Sequence, residues 1–425
     1  MKKNKIKVYR QIKTLLTLQG AFEKGGRKTK VEDLSIIKNA CLVCDETSGK
    51  ILFVGLDSKL NSFLKNYSFQ NKLKFKVNEV LLKNKTVLPG FIDCHTHSVF
   101  AGNRFEEFEL RNQGATYQEI AASGGGILST MRATREISFN NLFELTKNRI
   151  SNFYNQGVTT VEVKSGYALN LKHEIKQLKV IKKLNELREF SNCIPTFLGA
   201  HALPPEFKSY EEYLNEIVQN WLPQIKKNKL ANRVDIFIEK GFFEKSAAEK
   251  YLKSVKALGF EIAIHADQLT LSGGTELAVA LGAFSADHMI QVKDKEISAI
   301  SSSETTSVLL PTADLYLKCN YPPARALIDS GARVALATDF NPGSSPTQDI
   351  MLVGLLARLY MKMTLPEVIA AFTVNGAYAL GLQNQIGCLR VGHQADLIAT
   401  SEDWQGLFYQ AGQNPVERVY STKNI

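Results

Sequence analysis

The segment RVDIFIEKGFFEKSAAEKYLKSVKALGFEIAIHADQ, Arg233 to Gln268, decides the fold. It opens on an apolar, β-branched run and passes through AAEKYLKSVKALG, a stretch of helical period. It closes on a second apolar run that ends in a histidine. Short apolar runs of this kind read as buried strands. The stretch between them ends at Gly259, a helix stop. Strand, helix and strand in that order predict two parallel strands joined by a crossover helix.

Outward from this unit the same grammar repeats. From residue 87 the runs are VLPGFIDCHTH, TTVEVKSGY, NCIPTFLGAH, RVDIFIEKGF, FEIAIHADQ, AFSADHMI, TSVLLPTAD and RVALATDFN. Eight such units over ~250–300 residues fit a closed (β/α)8 TIM-like barrel. The competing doubly wound sheet needs a glycine fingerprint after its first strand, and none is present. The flanks carry shorter strand-like pieces: LLTL, ACLVCD, KILFVG, ADLIAT and RVYST. Neither flank reads as able to fold alone. The expected organisation is a barrel over 87–384 and a small β-rich domain built from 1–86 and 385–425.

With 425 residues, 44% hydrophobic and 22% charged, the chain has the composition of a globular enzyme. The basic start MKKNKIKVYR has no apolar signal core after it, and no stretch is long enough to span a bilayer. These features predict a cytoplasmic protein with no membrane partner. The formal charge of +10 raises nucleic acid as a partner. The lysines, however, are spread over helix faces such as LKHEIKQLKVIKKLNELREF, which reads as solvated surface and predicts no nucleic-acid binding. Of six cysteines only Cys41 and Cys44 form a C-x-x-C, and no second pair completes a zinc site. Reduced, buried thiols in a reducing compartment are expected.

Chemistry in a barrel sits at the carboxyl ends of the strands. Five of the seven histidines lie there: His95 and His97 end the first run, His201 the third, His265 the fifth and His288 the sixth. Asp339 ends the eighth. Strand residues two apart share a face at a rise of roughly 6.7 Å, so His95 and His97 can converge on one ion. Asp93 shares that face and could orient a ligand. With His265 and Asp339 the set is three imidazoles and a carboxylate, which suits one Zn²⁺ or Fe ion per chain. A second ion would need a bridging carbamylated lysine, for which Lys240 is the obvious candidate. One metal is the preferred reading, with His201 and His288 left for substrate or proton transfer.

The motifs PGFIDCHTH, HADQ, ATDFNPGS, TVNGAYALGL and IGCLRVGHQADLIA resemble the amidohydrolase superfamily. Narrower segments are FAGNRFEEFELRNQGATYQEIAASGGGILSTMRATR, TTVEVKSGYAL, FLGAHALPPE and SGGTELAVALGAFSADH. They are similar to the branch of that superfamily that opens an imidazolone ring in histidine degradation. The resemblance implies that His95, His97, His265 and Asp339 hold the metal. It implies that Arg104, Tyr167, His201, Gln268, Asn341, Gly343 and Ser344 line the substrate pocket, with His288 near the reacting centre. Ala168 and Gln268 stand where many members carry glycine and glutamate. A homodimer is expected by fold analogy.

The implied reaction is hydrolysis of the ring amide of 4-imidazolone-5-propanoate to N-formimidoyl-L-glutamate. Bound metal would lower the pKa of water from about 16 toward 7. Asp339 is the first choice of base and His288 the second. Glutamine cannot shuttle a proton, so Gln268 counts against a deaminase. Arg104 suits the substrate carboxylate, since a guanidinium binds it through two parallel bonds. Arg111 and Tyr167 are alternatives, and a surface ion pair with Glu106 or Glu107 is the structural reading of Arg104. Gly124 to Gly126 lack the Gly-Lys-Ser/Thr of a phosphate loop and read as a segment able to close over the pocket. The alternatives are another cyclic-amide hydrolase, a cyclic-amidine deaminase, or a metal-binding protein without turnover.

Overall fold

A computed structural model describes residues 4–71, 75–115, 119 and 124–422. Parts of the basic start and of the segment after His97 therefore lie outside the described residues. In the first sheet β1 (Asn4–Leu16), β2 (Ile36–Asp45), β3 (Ile51–Leu56) and β4 (Phe75–Leu81) come from the amino-terminal flank, and they are joined by β5 (Thr86–Pro89), the opening of the run expected to be the first barrel strand. The barrel takes β6 (Phe91–Asp93), β7 (Val158–Lys164), β8 (Asn192–Ala200) and β9 (Arg233–Ile238). Its second half is β10 (Glu261–Ala266), β11 (Ser285–His288), β12 (Thr306–Leu309) and β13 (Val334–Leu336). The chain returns to the first sheet with β14 (Leu397–Thr400) and β15 (Val416–Tyr420).

The order of the first sheet is β15-β14-β5-β1-β2-β3, with β4 also on β1. Strand β1 carries a register shift between Tyr9 and Ile12. Before it β1 pairs with β4, and after it with β5. One long strand thus reaches two neighbours on the same side. Strand β14 pairs antiparallel with β5, which fastens the two chain ends into one sheet. Its core is apolar and includes Ile12, Leu15, Leu42, Val87 and Leu397.

The eight strands of the second sheet pair in sequence order, β6 to β13, all parallel. Helices cover the outside. The helix Lys245–Ala257 buries Ala248, Tyr251, Leu252 and Val255, a stripe at three- and four-residue spacing. Gly259 ends it at φ +75°, with Gly259 N–H on Lys256 O and Phe260 N–H on Val255 O. Every residue of β7 and β9 is buried, as expected of strands covered on both faces.

Strands β6 and β13 share no ladder, and the cylinder is closed beyond their ends. Thr96 bridges to Phe340, the Asp339 N–H donates to His95 O at 3.1 Å, and the His97 N–H donates to Phe340 O at 2.9 Å. Asp93 accepts from the Thr338 N–H and hydroxyl at 3.3 and 2.7 Å. Asp93 therefore ties the first strand to the eighth and does not reach an imidazole, contrary to the role expected of it. Among the described residues no helix is long and apolar enough to cross a membrane.

Candidate active site

The seam between β6 and β13 brings His95, His97 and Asp339 together, and β10 adds His265. His95 Nε2 and His97 Nε2 lie 3.4 and 3.3 Å from Asp339 Oδ1. His265 Nε2 lies 3.4 Å from His97 Nε2. Ligand atoms at bond lengths of about 2.0–2.1 Å around a tetrahedral ion are roughly 3.3–3.4 Å apart. The donor set and its spacing therefore fit one small divalent cation. His95 Nε2 is buried with no hydrogen-bond partner, as an aimed ligand atom would be. His95, His97 and Asp339 form one group of convergent donors, and His95, His265 and His288 form another.

Electrostatics keeps the donors ready. Burial, and then the positive charge of Lys164 and of the other histidines, holds His95 well below the ordinary imidazole range. Burial does the same for His97, His201 and His288, the last pushed down to about 3. Neutral imidazoles are the form that binds metal. His265 differs: burial pushes it down, but Asp235 beside it raises it above the usual value. Burial raises Asp339, opposed by His288. His288 and Asp339 have φ of 76° and 51°, left-handed conformations that non-glycine residues adopt at a cost of roughly 1–3 kcal/mol.

Above the cluster lies a cavity open to solvent. Of the residues expected at the site it is lined by His97, Arg104, Tyr167, His201, Gln268, His265, His288, Asp339, Asn341 and Ser344. His95 lies fully buried beneath its floor. Gly343 is not in the wall but makes room for it: a Cβ there would stand 2.2 Å from Arg104 Nη1. The Asn341 side chain folds the loop by accepting from the Gly343 and Ser344 N–H groups at 2.8 Å. Arg104 is 5% exposed, and its Nε donates to Thr130 Oγ1 at 2.9 Å. Glu107 is 4.0 Å away, and Arg104 Nη2 is buried without a partner. Arg111 donates to Gly343 O at 2.9 Å and is not among the cavity-lining residues. Tyr167 sits beside Arg104, whose guanidinium carbon is 5.7 Å from its ring centre. The preceding Gly166, at φ +106°, packs against Leu198 O.

His201 Nδ1 is 2.9 Å from Gly166 O, so that nitrogen carries the proton and the other is an acceptor. Glu239 accepts from the Leu269 and Thr270 N–H groups at 2.8 and 3.1 Å, which pins the loop after Gln268. Gly126 N–H donates to Glu107 at 2.9 Å and starts the helix Ile127–Glu136, whose Ile127 reaches the cavity.

Lys240 is exposed and takes no part in the cluster, so the lysine that a second ion would have needed is not placed to bridge. The sequence reading missed Glu162, Lys164, Arg233, Asp235 and Asp287, all buried inside the barrel. His95 Nδ1 donates to Asp287 Oδ2 at 2.6 Å, and His265 Nδ1 is 3.0 Å from Asp235 Oδ2. The signal that could have found the first four is a charge inside an apolar strand, at alternate positions in VEVK and RVDI; Asp287 lies in SADH, next to a histidine already singled out.

This fold and this donor set define a hydrolase class, and the chain belongs to it: residues 86–416 match the Amidohydrolase family. Its similarity is closer still to proteins named imidazolonepropionase. That of Bdellovibrio bacteriovorus is 58% identical over 97% of this chain and 94% of the relative. Those of Geobacillus kaustophilus and Clostridium tetani are 42% and 40% identical, over 96% and 100% of this chain and 95% and 99% of theirs. Among solved structures a triazine hydrolase variant superposes with a TM-score of 0.74 at 14% identity, covering 99% of this chain and 94% of the other. An adenosine deaminase from Xanthomonas campestris with bound zinc gives 0.69 at 17% identity, covering 99% and 92%. These two likenesses concern the fold.

Proposed function

We propose that the chain hydrolyses the ring amide of 4-imidazolone-5-propanoate to N-formimidoyl-L-glutamate, the imidazolonepropionase reaction of histidine degradation. The observation that carries this reading is the unpartnered, buried Arg104 Nη2 across one cavity from the His95, His97, His265 and Asp339 cluster. A carboxylate tail and a reacting ring need those two features together. The identity to named relatives over nearly the whole chain supports it.

His95, His97, His265 and Asp339 would hold one Zn²⁺ or Fe ion, which supplies a Lewis acid and an activated water at neutral pH. A carbamate on the buried Lys164 would add a negative charge where three carboxylates already gather, which favours a single ion. The chain's own residues do the rest. Arg104 clamps the propanoate and Tyr167 covers it. Gln268 and His201 offer hydrogen bonds to the ring and hold it in register. Asp339 takes the proton of the attacking water on its carboxylate and returns it to the ring nitrogen as the amide C–N bond breaks. His288, neutral at pH 7, stands beside it as a hydrogen-bond donor to the developing oxyanion. Asn341, Gly343 and Ser344 shape the wall behind Arg104.

The reading includes a small-molecule substrate, a homodimer and a reducing, cytoplasmic setting; all six cysteines are free thiols. The purified chain is expected to bleach imidazolone absorbance while formimidoylglutamate accumulates. Ammonia release would mark a deaminase instead, and silence with metal bound a non-enzyme. Gln268→Glu is expected to leave turnover unraised, as steady-state kinetics would show; a large rise would reveal a missing proton shuttle.

A further inference from the structure

Beneath the cluster, inside the cylinder, one ammonium touches the two carboxylates that hold two of the imidazoles. Lys164 ends β7 with no exposed surface. Its Nζ lies 2.8 Å from Asp235 Oδ2 and 3.8 Å from Asp287 Oδ2. Those same two oxygens face His265 Nδ1 at 3.0 Å and His95 Nδ1 at 2.6 Å. A third carboxylate, Glu162, meets Lys164 at 2.7 Å and is anchored from the other side by Thr196 Oγ1 at 2.6 Å and Arg233 Nε at 3.3 Å.

We infer that Lys164 is the positioning residue of the metal centre, a single cation that fixes Asp235 and Asp287 and through them the rings of His265 and His95. This rests on the metal-site reading above. The argument is one of charge and reach. Three carboxylates share this buried space with two cations, Lys164 and Arg233. Arg233 contacts Glu162, donates to Ser285 Oγ and Ala379 O, and has no contact with Asp235 or Asp287 among its ion pairs. Of these two cations, among the described residues, Lys164 is the one that touches both. Without it each carboxylate would repel the other and turn away from its imidazole. Partners of this kind fix the tautomer and angle of a ligand ring, and their loss costs roughly 10–100-fold in metal affinity.

The test is metal-free full-length protein reloaded with Co²⁺, read by its visible absorption and by competition with a chelator. Wild type should take up one equivalent. Lys164→Met should bind ~10–100-fold more weakly and show a shifted band, because the rings no longer meet the ion at the same angle. A plug that merely fills the barrel floor would lower the unfolding temperature and leave affinity and spectrum alone, and that result overturns the inference. If Lys164→Met does not fold, Lys164→Met with Glu162→Gln keeps the net charge and is judged by the same two readouts. Wild type that binds no Co²⁺ would remove the metal reading itself; wild-type binding with an unaltered Lys164 variant removes this inference alone.

Discussion

Between β1, β2, β5 and β14 the terminal sheet buries Ile12, Leu15, Leu42, Val87 and Leu397 against one another. Between β7, β9 and β11 the barrel buries Glu162, Lys164, Arg233, Asp235 and Asp287. Both regions exclude water, but only the first gains from it through the hydrophobic effect. In the second, every charge taken out of water has to be offset by a partner, so the strands spend stability on holding charges in place. The candidate site stands on the sheet whose interior carries the charges.

The sharpest break between the two regions is expected at Asp339→Asn. Activity should drop about 10²–10⁴-fold through loss of the base. The metal-free protein should unfold no earlier than wild type, since burial already disfavours the charged form of this carboxyl. Kinetics beside a melting curve would check both halves. Leu397→Ala is the converse. Leu397 is fully buried, and its truncation should cost about 2–5 kcal/mol in urea unfolding, with kcat/KM of the folded enzyme unchanged.

A smaller effect is expected from Arg104→Lys. Losing the planar fork should raise KM for the propanoate substrate about tenfold, the value of ~1.4 kcal/mol in a charge-assisted bond, with kcat less altered. An unmoved KM would place the carboxylate elsewhere. The smallest effect concerns His393, where burial and then Arg390 push the imidazole down to about 4. From its ordinary pKa of 6.5 down to about 4, the unfolded chain takes a proton there that the folded chain refuses. Stability should therefore be full above that range and decline as pH falls through it. His393→Gln should flatten this part of a plot of melting temperature against pH.

The strands of the barrel were legible because parallel strands covered on both faces read as apolar runs. The site was legible wherever a histidine or aspartate ended such a run, as His95, His97, His265 and Asp339 do. Lys164, Asp235 and Asp287 were not. Alternation within a buried strand says that two residues share a face, not whether that face is the lumen or the helix layer. That needs register across strands, such as the pairing of His265 with Asp287 and of Ala263 with Asp235. Asp93 misled for the same reason: it faces the right way but meets Thr338 first. In the terminal sheet β2, β3, β14 and β15 were visible as strand-like pieces, whereas β4 and most of β1 were not, and the change of partner along β1 from β4 to β5 follows a register shift that no local pattern announces.

The cylinder closes at the point where its first and last strands meet, and three of the four donors, His95, His97 and Asp339, sit on the lips of that junction. A growing chain on the ribosome exposes His95 and His97 early and Asp339 only after most of the barrel has emerged. An unfinished polypeptide therefore has no complete cage in which to trap a cation, and competence arrives in one step near the end of synthesis.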